Sequence, residues 1–94
     1  MDFDKLVHQP TRLQIFAYLY QHGETPFSDL KDDLDVTEGN LSSHIQKMED
    51  AGAVRIEKEF VDRKPRTTYE LTEAGQEKFE AHIGTLESLI DDLG

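Results

Sequence analysis

The sequence predicts a single α+β domain, mostly helical, in which a helix-turn-helix is followed by a two-to-three-stranded β-hairpin and a long C-terminal helix. Three observations carry this. Leu41, Ile45 and Met48 fall at i, i+4, i+7, the spacing of one apolar helix face. Residues 53–61 and 67–71 alternate apolar and polar, the period of half-buried strands, with a short basic segment between them. Phe79, Ile83, Leu86, Ile90 and Leu93 are spaced 4, 3, 4, 3, a heptad-like seam. The chain has 94 residues, which is room for one core.

In order along the chain, residues 1–9 read as a short helical or irregular lead-in with Phe3, Leu6 and Val7 available to pack. Pro10 suits a first helical turn, where its missing N–H costs nothing. The helix that follows, TRLQIFAYLYQHG, should close at Gly23. Its apolar residues cover more than one face, so a second buried side is expected, and a subunit interface would supply it; the alternative is that Tyr18 and Tyr20 lie on the surface. Glu24–Phe27 is short and carries Pro26, which restricts it to an edge strand. Ser28 reads as the N-cap of a second helix, SDLKDDLD, with Leu30 and Leu34 facing inward. A tight turn, Asp35-Val36-Thr37, leads to a third helix that Thr37 caps and Gly52 ends.

That third helix, about 37–51, is the stretch with chemistry on it. Opposite its apolar face lie Gly39, Ser43 and Gln46, flanked by Asn40, Ser42, His44 and Lys47. These are short hydrogen-bonding side chains where a solvated helix usually carries Glu and Lys, and such groups read base edges or bond phosphate oxygens. A surface helix that is polar by chance has the same composition, so the flanking elements decide. A short capped helix precedes it across a tight turn, which is a helix-turn-helix pattern. In the hairpin that follows, about 53–71, Val54, Ile56, Lys58 and Phe60 point one way and Arg55, Glu57 and Glu59 the other. The turn Asp62–Arg66 carries Arg63, Lys64 and Arg66, with Pro65 stiffening it. Thr72 reads as the N-cap of the last helix, about 72–93.

Charge is distributed unevenly. The net value is −10, from 20 acidic and 10 basic residues. Residues 40–66 hold six bases against five acids, whereas 24–38 and 72–94 each hold one lysine against six acids. The acid therefore lies mostly outside the candidate reading surface, though it repels a polyanion at range.

The segments LVHQPTRLQIFAYL, FSDLKDDLDVTEGNLSSHIQKMEDAGAV and RKPRTTYELTEAG together resemble the short winged helix-turn-helix transcriptional regulators related to the MarR and ArsR groups. The resemblance spans nearly the whole chain. It implies a cytoplasmic homodimer on a pseudo-palindromic double-stranded DNA operator, with the third helix in the major groove and the wing tip along the backbone or minor groove. On that reading Asn40, Ser43 and Gln46 reach base edges, while Ser42, His44 and Lys47 hold phosphates. Arg63, Lys64 and Arg66 grip backbone or minor groove. The seam Phe79, Ile83, Leu86, Ile90 and Leu93 either packs on its own domain or forms the dimer interface, and the length of its helix favours the interface. Asp35 departs from the pattern, standing where related sequences often carry Gly or Asn; aspartate tolerates the left-handed conformation at some cost. The chain's end soon after the last helix implies no separate effector domain.

Two other classes stay open at this level. One is an acidic winged-helix protein-interaction module with weak or no DNA binding. The other is a regulator that answers an unknown small-molecule effector held between the dimer helices. Enzymatic activity is not expected: no phosphate-binding glycine loop is present, and Asp32/Asp33 and Asp91/Asp92, adjacent in sequence, point apart on a helix. No cofactor or metal is expected either. The chain has no cysteine, which suits a reducing cytoplasm, and His8, His22, His44 and His82 lie on four separate elements without ligand spacing. A site joining His82 to Asp91 or Asp92 across a dimer is the one arrangement that spacing leaves open. The N-terminal MDFDKLVHQP lacks the apolar core of a secretory signal, and no apolar run is long enough to span a bilayer.

Overall fold

Seven elements follow one another in the computed structural model, which describes residues 3–94: α1 (Pro10–His22), β1 (Thr25–Pro26), α2 (Phe27–Leu34), α3 (Glu38–Asp50), β2 (Val54–Val61), β3 (Lys64–Leu71) and α4 (Glu73–Leu93). The first two residues of the expected lead-in lie outside the described ones. The strands form one antiparallel sheet in the order β1-β3-β2, so β1 is the edge strand expected from Pro26.

Helix ends follow local chemistry. Gln9 caps α1, its side-chain oxygen accepting the Arg12 N–H at 2.8 Å. Gly23 ends it at φ 75°, and its N–H donates to the Leu19 carbonyl. Asp35 ends α2 in the left-handed conformation at φ 52°. Thr37 and Thr72 cap α3 and α4, each accepting a backbone N–H three residues on. Ser28 corrects the reading of α2: the helix begins one residue earlier, after Pro26, with no side-chain cap. Phe27 sets that start. Its ring meets Tyr69 edge-on at 6.0 Å, and burying an aromatic there outweighs one capping hydrogen bond of about 1 kcal/mol.

The core lies between α1, α2, α3, the start of α4 and the inner half of the sheet. Ile15, Phe16, Leu30, Leu41 and Met48 are fully buried, with Ile45, Leu71 and Phe79 around them. Phe79 corrects the expected seam. It is stacked parallel to Phe16 at 6.3 Å and serves its own protomer's core, as Ile83 does in part. Farther along the same helix Ile90 is 65% and Leu93 80% exposed. The second side of α1 is not buried, as the surface alternative has it: Tyr20 is 45% exposed, its hydroxyl donating to Glu80 on α4 at 3.0 Å, and half-buried Tyr18 donates to Asp33 on α2.

Two parts project. The radius of gyration is 14.4 Å, against about 12 Å for a compact chain of this length. One projection is the end of α4. The other is the outer half of the β2–β3 hairpin, where the expected alternation stops being a burial pattern: Val54 is buried, Ile56 half-buried, and every residue from Glu57 to Arg66 exposed.

The root of the hairpin is fastened to α4. The Thr72 N–H donates to the Ala53 carbonyl at 3.0 Å, and its hydroxyl donates to the Gly52 carbonyl at 2.6 Å. Gly75 makes this approach possible, since a Cβ there would sit 2.0 Å from the Ala53 oxygen. The end of α3, the base of the hairpin and the first turn of α4 therefore meet at one joint.

Candidate nucleic-acid interface

The exposed face of α3 is the polar one. Leu41, Ile45 and Met48 are buried, and Asn40, Ser42, Ser43, Gln46 and Lys47 are exposed. Gly39 is exposed beside them with nothing within 4 Å of where a Cβ would stand. The free face has two constraints. Gln46 Nε2 donates to Asp50 Oδ1 at 2.9 Å, which leaves its amide oxygen as the free group. His44 is half-buried and lies 3.1 Å from Arg12 Nη1 through its Nδ1.

A guanidinium only donates, so His44 Nδ1 is bare and the ring proton sits on Nε2. Burial lowers the His44 pKa below its ordinary value, and the Arg12 and Lys47 charges lower it further. Near neutral pH His44 is thus a neutral donor rather than a cation. Arg12 also donates from Nε to the Leu6 carbonyl at 2.7 Å, tying the lead-in segment to α3.

The hairpin tip differs from the expected five-residue turn. Residues 62–66 have the composition of a loop, but β3 begins at Lys64 and only Asp62 and Arg63 make the turn. Their φ values are 52° and 67°, a two-residue turn of the type that matches strand twist. Pro65 is therefore a strand residue opposite Phe60. A two-residue turn makes Val61 and Lys64 the bond-exchanging pair, so Phe60 and Pro65 fall at the next pair, where no N–H is needed toward β2. Arg63, Lys64 and Arg66 are all exposed.

Between the hairpin and the start of α3 runs an open groove of about 510 Å³. Glu38, Ser42 and Gln46 line one wall, Lys58, Pro65, Arg66 and Thr67 the other, and Phe27 and Ser28 lie between. Lys58 and Ser28 are the groove residues that sequence reasoning misses. Alternation assigns Lys58 to the apolar face of its strand, and that face runs past the core edge at Ile56 into the groove. Ser28, which reads as a cap, has its hydroxyl free for this surface. Among the described residues no group of three or more His, Asp or Glu could hold a metal ion, and no helix is long and apolar enough to cross a membrane.

A polar helix face and a basic hairpin on either side of one groove is the geometry of a winged helix. A family model described as a winged helix DNA-binding domain matches residues 11–90. The chain belongs to that family. As a winged helix it is similar to an uncharacterized protein of Methanocaldococcus jannaschii, 32% identical over 79 residues that span 84% of this chain and 86% of the relative. Its fold matches that of a transcriptional regulator homologue from Pyrococcus horikoshii OT3 with a TM-score of 0.89 and 39% identity, over 94% of this chain and 87% of the other. The overoxidized AbfR bound to DNA shares the winged-helix fold at a TM-score of 0.77 and 20% identity, over 86% of this chain and 59% of AbfR. The expected winged helix-turn-helix fold thus holds, and with it membership of a DNA-binding domain family. The wing is β2–β3, and α3 is the second helix of its helix-turn-helix.

Proposed function

We propose that this winged helix is a transcriptional regulator that binds specific double-stranded DNA as a homodimer. The observation that carries the reading is charge placement on the groove. In a chain of net charge −10, residues 58–66 hold Lys58, Arg63, Lys64 and Arg66 against only Glu59 and Asp62. Lys58 and Arg66 line the groove across from Ser42 and Gln46 of α3, and Arg63 and Lys64 are exposed at the tip beyond it. Asn40, Ser43 and the free oxygen of Gln46 are the base-reading groups. Ser42, Lys47 and the neutral His44 Nε2–H bond phosphates at the groove margin. The wing cations hold backbone or minor groove.

The backbone of Arg63 adds support. A non-glycine residue at φ 67° costs about 1–2 kcal/mol, and Gly is the residue such turns favour there. A cation held at that cost is consistent with a role for its charge. Dimerisation is assigned to the free end of α4, where Leu89, Ile90 and Leu93 are exposed and Leu86 half-buried on one side of the helix. Phe79 is not part of that assignment. Leu89 joins it from the structure.

The test is fluorescence anisotropy on duplexes selected from a random pool. Lys64→Ala should weaken all sequences alike and flatten the salt dependence by about 0.9 for each phosphate no longer neutralised. Gln46→Ala should change which sequences are preferred. The net acidity favours one rival, a protein-interaction module. Absence of duplex binding even at low salt, where attraction is least screened, would overturn the DNA reading and favour that rival.

A further inference from the structure

At the end of the wing stands Phe60, 79% exposed, with Val61 at 40% beside it. Neither touches the core, which the strand leaves at Ile56, about 13 Å earlier along the chain. Pro65 is the cross-strand neighbour of Phe60. At such a non-bonded pair the two side chains stand closest, so the ring and the pyrrolidine form a single apolar end. A strand needs only a β-former here, and an aromatic left this bare in water is a hydrophobic cost with no return inside the protomer.

The surroundings choose the partner. Phe60 lies in a stretch, 58–66, where four cations outnumber two acids, with Lys58 and Glu59 before it and Asp62 and Arg63 after it. Alternation puts it on the strand face that carries Lys58 and Pro65, both of which line the groove against α3. Whatever α3 reads, the ring therefore meets next. The two-residue turn makes the tip short and stiff, fit to press rather than fold away. We propose that Phe60, backed by Pro65, is a wedge that enters the minor groove and partly unstacks one base step, bending the duplex toward α3. This rests on the DNA-binding reading above. Apolar wedges of this kind work best at flexible pyrimidine–purine steps, so such a step should recur in bound sequences at a fixed distance from the bases that α3 reads.

The experiment uses the whole chain and a duplex selected from a random pool, labelled at both ends for energy transfer. The wild type should shorten the end-to-end distance on binding. Phe60→Ala should restore a straighter duplex, weaken binding about tenfold and leave the salt slope unchanged, because no cation is removed. Phe60→Leu should keep most of the bend. Selection repeated with Phe60→Ala should lose the pyrimidine–purine step while keeping the bases read by α3. Equal bending and affinity for wild type and Phe60→Ala would overturn the wedge and leave the DNA-binding reading standing. Loss of self-association in Phe60→Ala without DNA, with bending unchanged, would overturn it in favour of an interface between copies. A wild type that binds no duplex at all would overturn the reading beneath it, and the wedge with it.

Discussion

Replacing Arg63 with glycine should stabilise the fold and weaken DNA binding together. The stability side comes from the backbone. Arg63 holds φ 67° at the second position of the wing turn, which costs a residue with a Cβ about 1–2 kcal/mol. Glycine removes that cost but gives back part of it through the greater freedom of the unfolded chain, about 0.5–1 kcal/mol. The net gain is about 0.5–1 kcal/mol, or about 2–8 °C in Tm for a domain of this size. Thermal unfolding followed by circular dichroism reads it. The binding side comes from charge. One cation per wing is removed, two in a dimer, so the slope of log K against log salt should flatten by about 1.8. Between about 50 and 200 mM salt the wild type should then lose about twelvefold more affinity than the variant. A fall in Tm would refute the strain argument. An unchanged salt slope would remove Arg63 from the interface.

Gly75→Ala and Gly84→Ala make the same change on one helix with opposite expected signs. The first drives a methyl into the Ala53 carbonyl at 2.0 Å and should lower stability by about 2–3 kcal/mol, while the second meets nothing within 4 Å and should raise it by up to about 1 kcal/mol. Equal effects in chemical denaturation would mean that the joint is looser than described. Ile90→Glu combined with Leu93→Glu touches only exposed positions and should leave the circular dichroism of the fold intact while shifting the mass seen by light scattering from dimer to monomer. The pH dependence has a definite sign. Burial, then the His8 charge, lowers the pKa of His82, with Asp4 opposing; burial, Arg12 and Lys47 lower that of His44. Each is protonated less readily folded than unfolded, so their contribution is full above about pH 6.5 and is lost as pH falls below it. Denaturant midpoints measured between about pH 5.5 and 7.5, above the range of carboxylate titration, should fall with pH, and His44→Gln with His82→Gln should flatten the trend.

What can be read ahead of the structure is whatever lies within a few residues. Leu41, Ile45 and Met48 announce the buried face of α3 through spacing alone, and Thr37, Thr72 and Gly23 mark helix ends through short-range hydrogen bonds and backbone geometry. The failures share one cause: partners distant in sequence. Ser28 loses its capping role because Phe27 finds Tyr69, 42 positions away in sequence. Phe79 fits a heptad seam by spacing, yet Phe16 claims it. Lys64 and Pro65 look like loop until the pairing with β2 shows that proline needs no N–H there. His8 and His82 belong to separate elements in sequence, and the fold brings their rings within hydrogen-bond distance, 3.0 Å, leaving His82 Nδ1 buried without a partner among the described residues. Within the candidate interface the α3 face is legible. Lys58 is not, because alternation shows which side a residue faces but not where the core stops.

The joint at Gly52, Ala53, Thr72 and Gly75 has a mechanical meaning. Two carbonyls from one segment accept bonds from one threonine, and a missing side chain lets the helix sit directly on the strand. No slack linker separates α4 from the wing or from the end of α3. A tilt of α4 is therefore passed to the reading surface as a rigid lever passes a turn of its handle. In a dimer joined through the far ends of α4, the gap between the two reading surfaces is governed by the angle at which those helices cross.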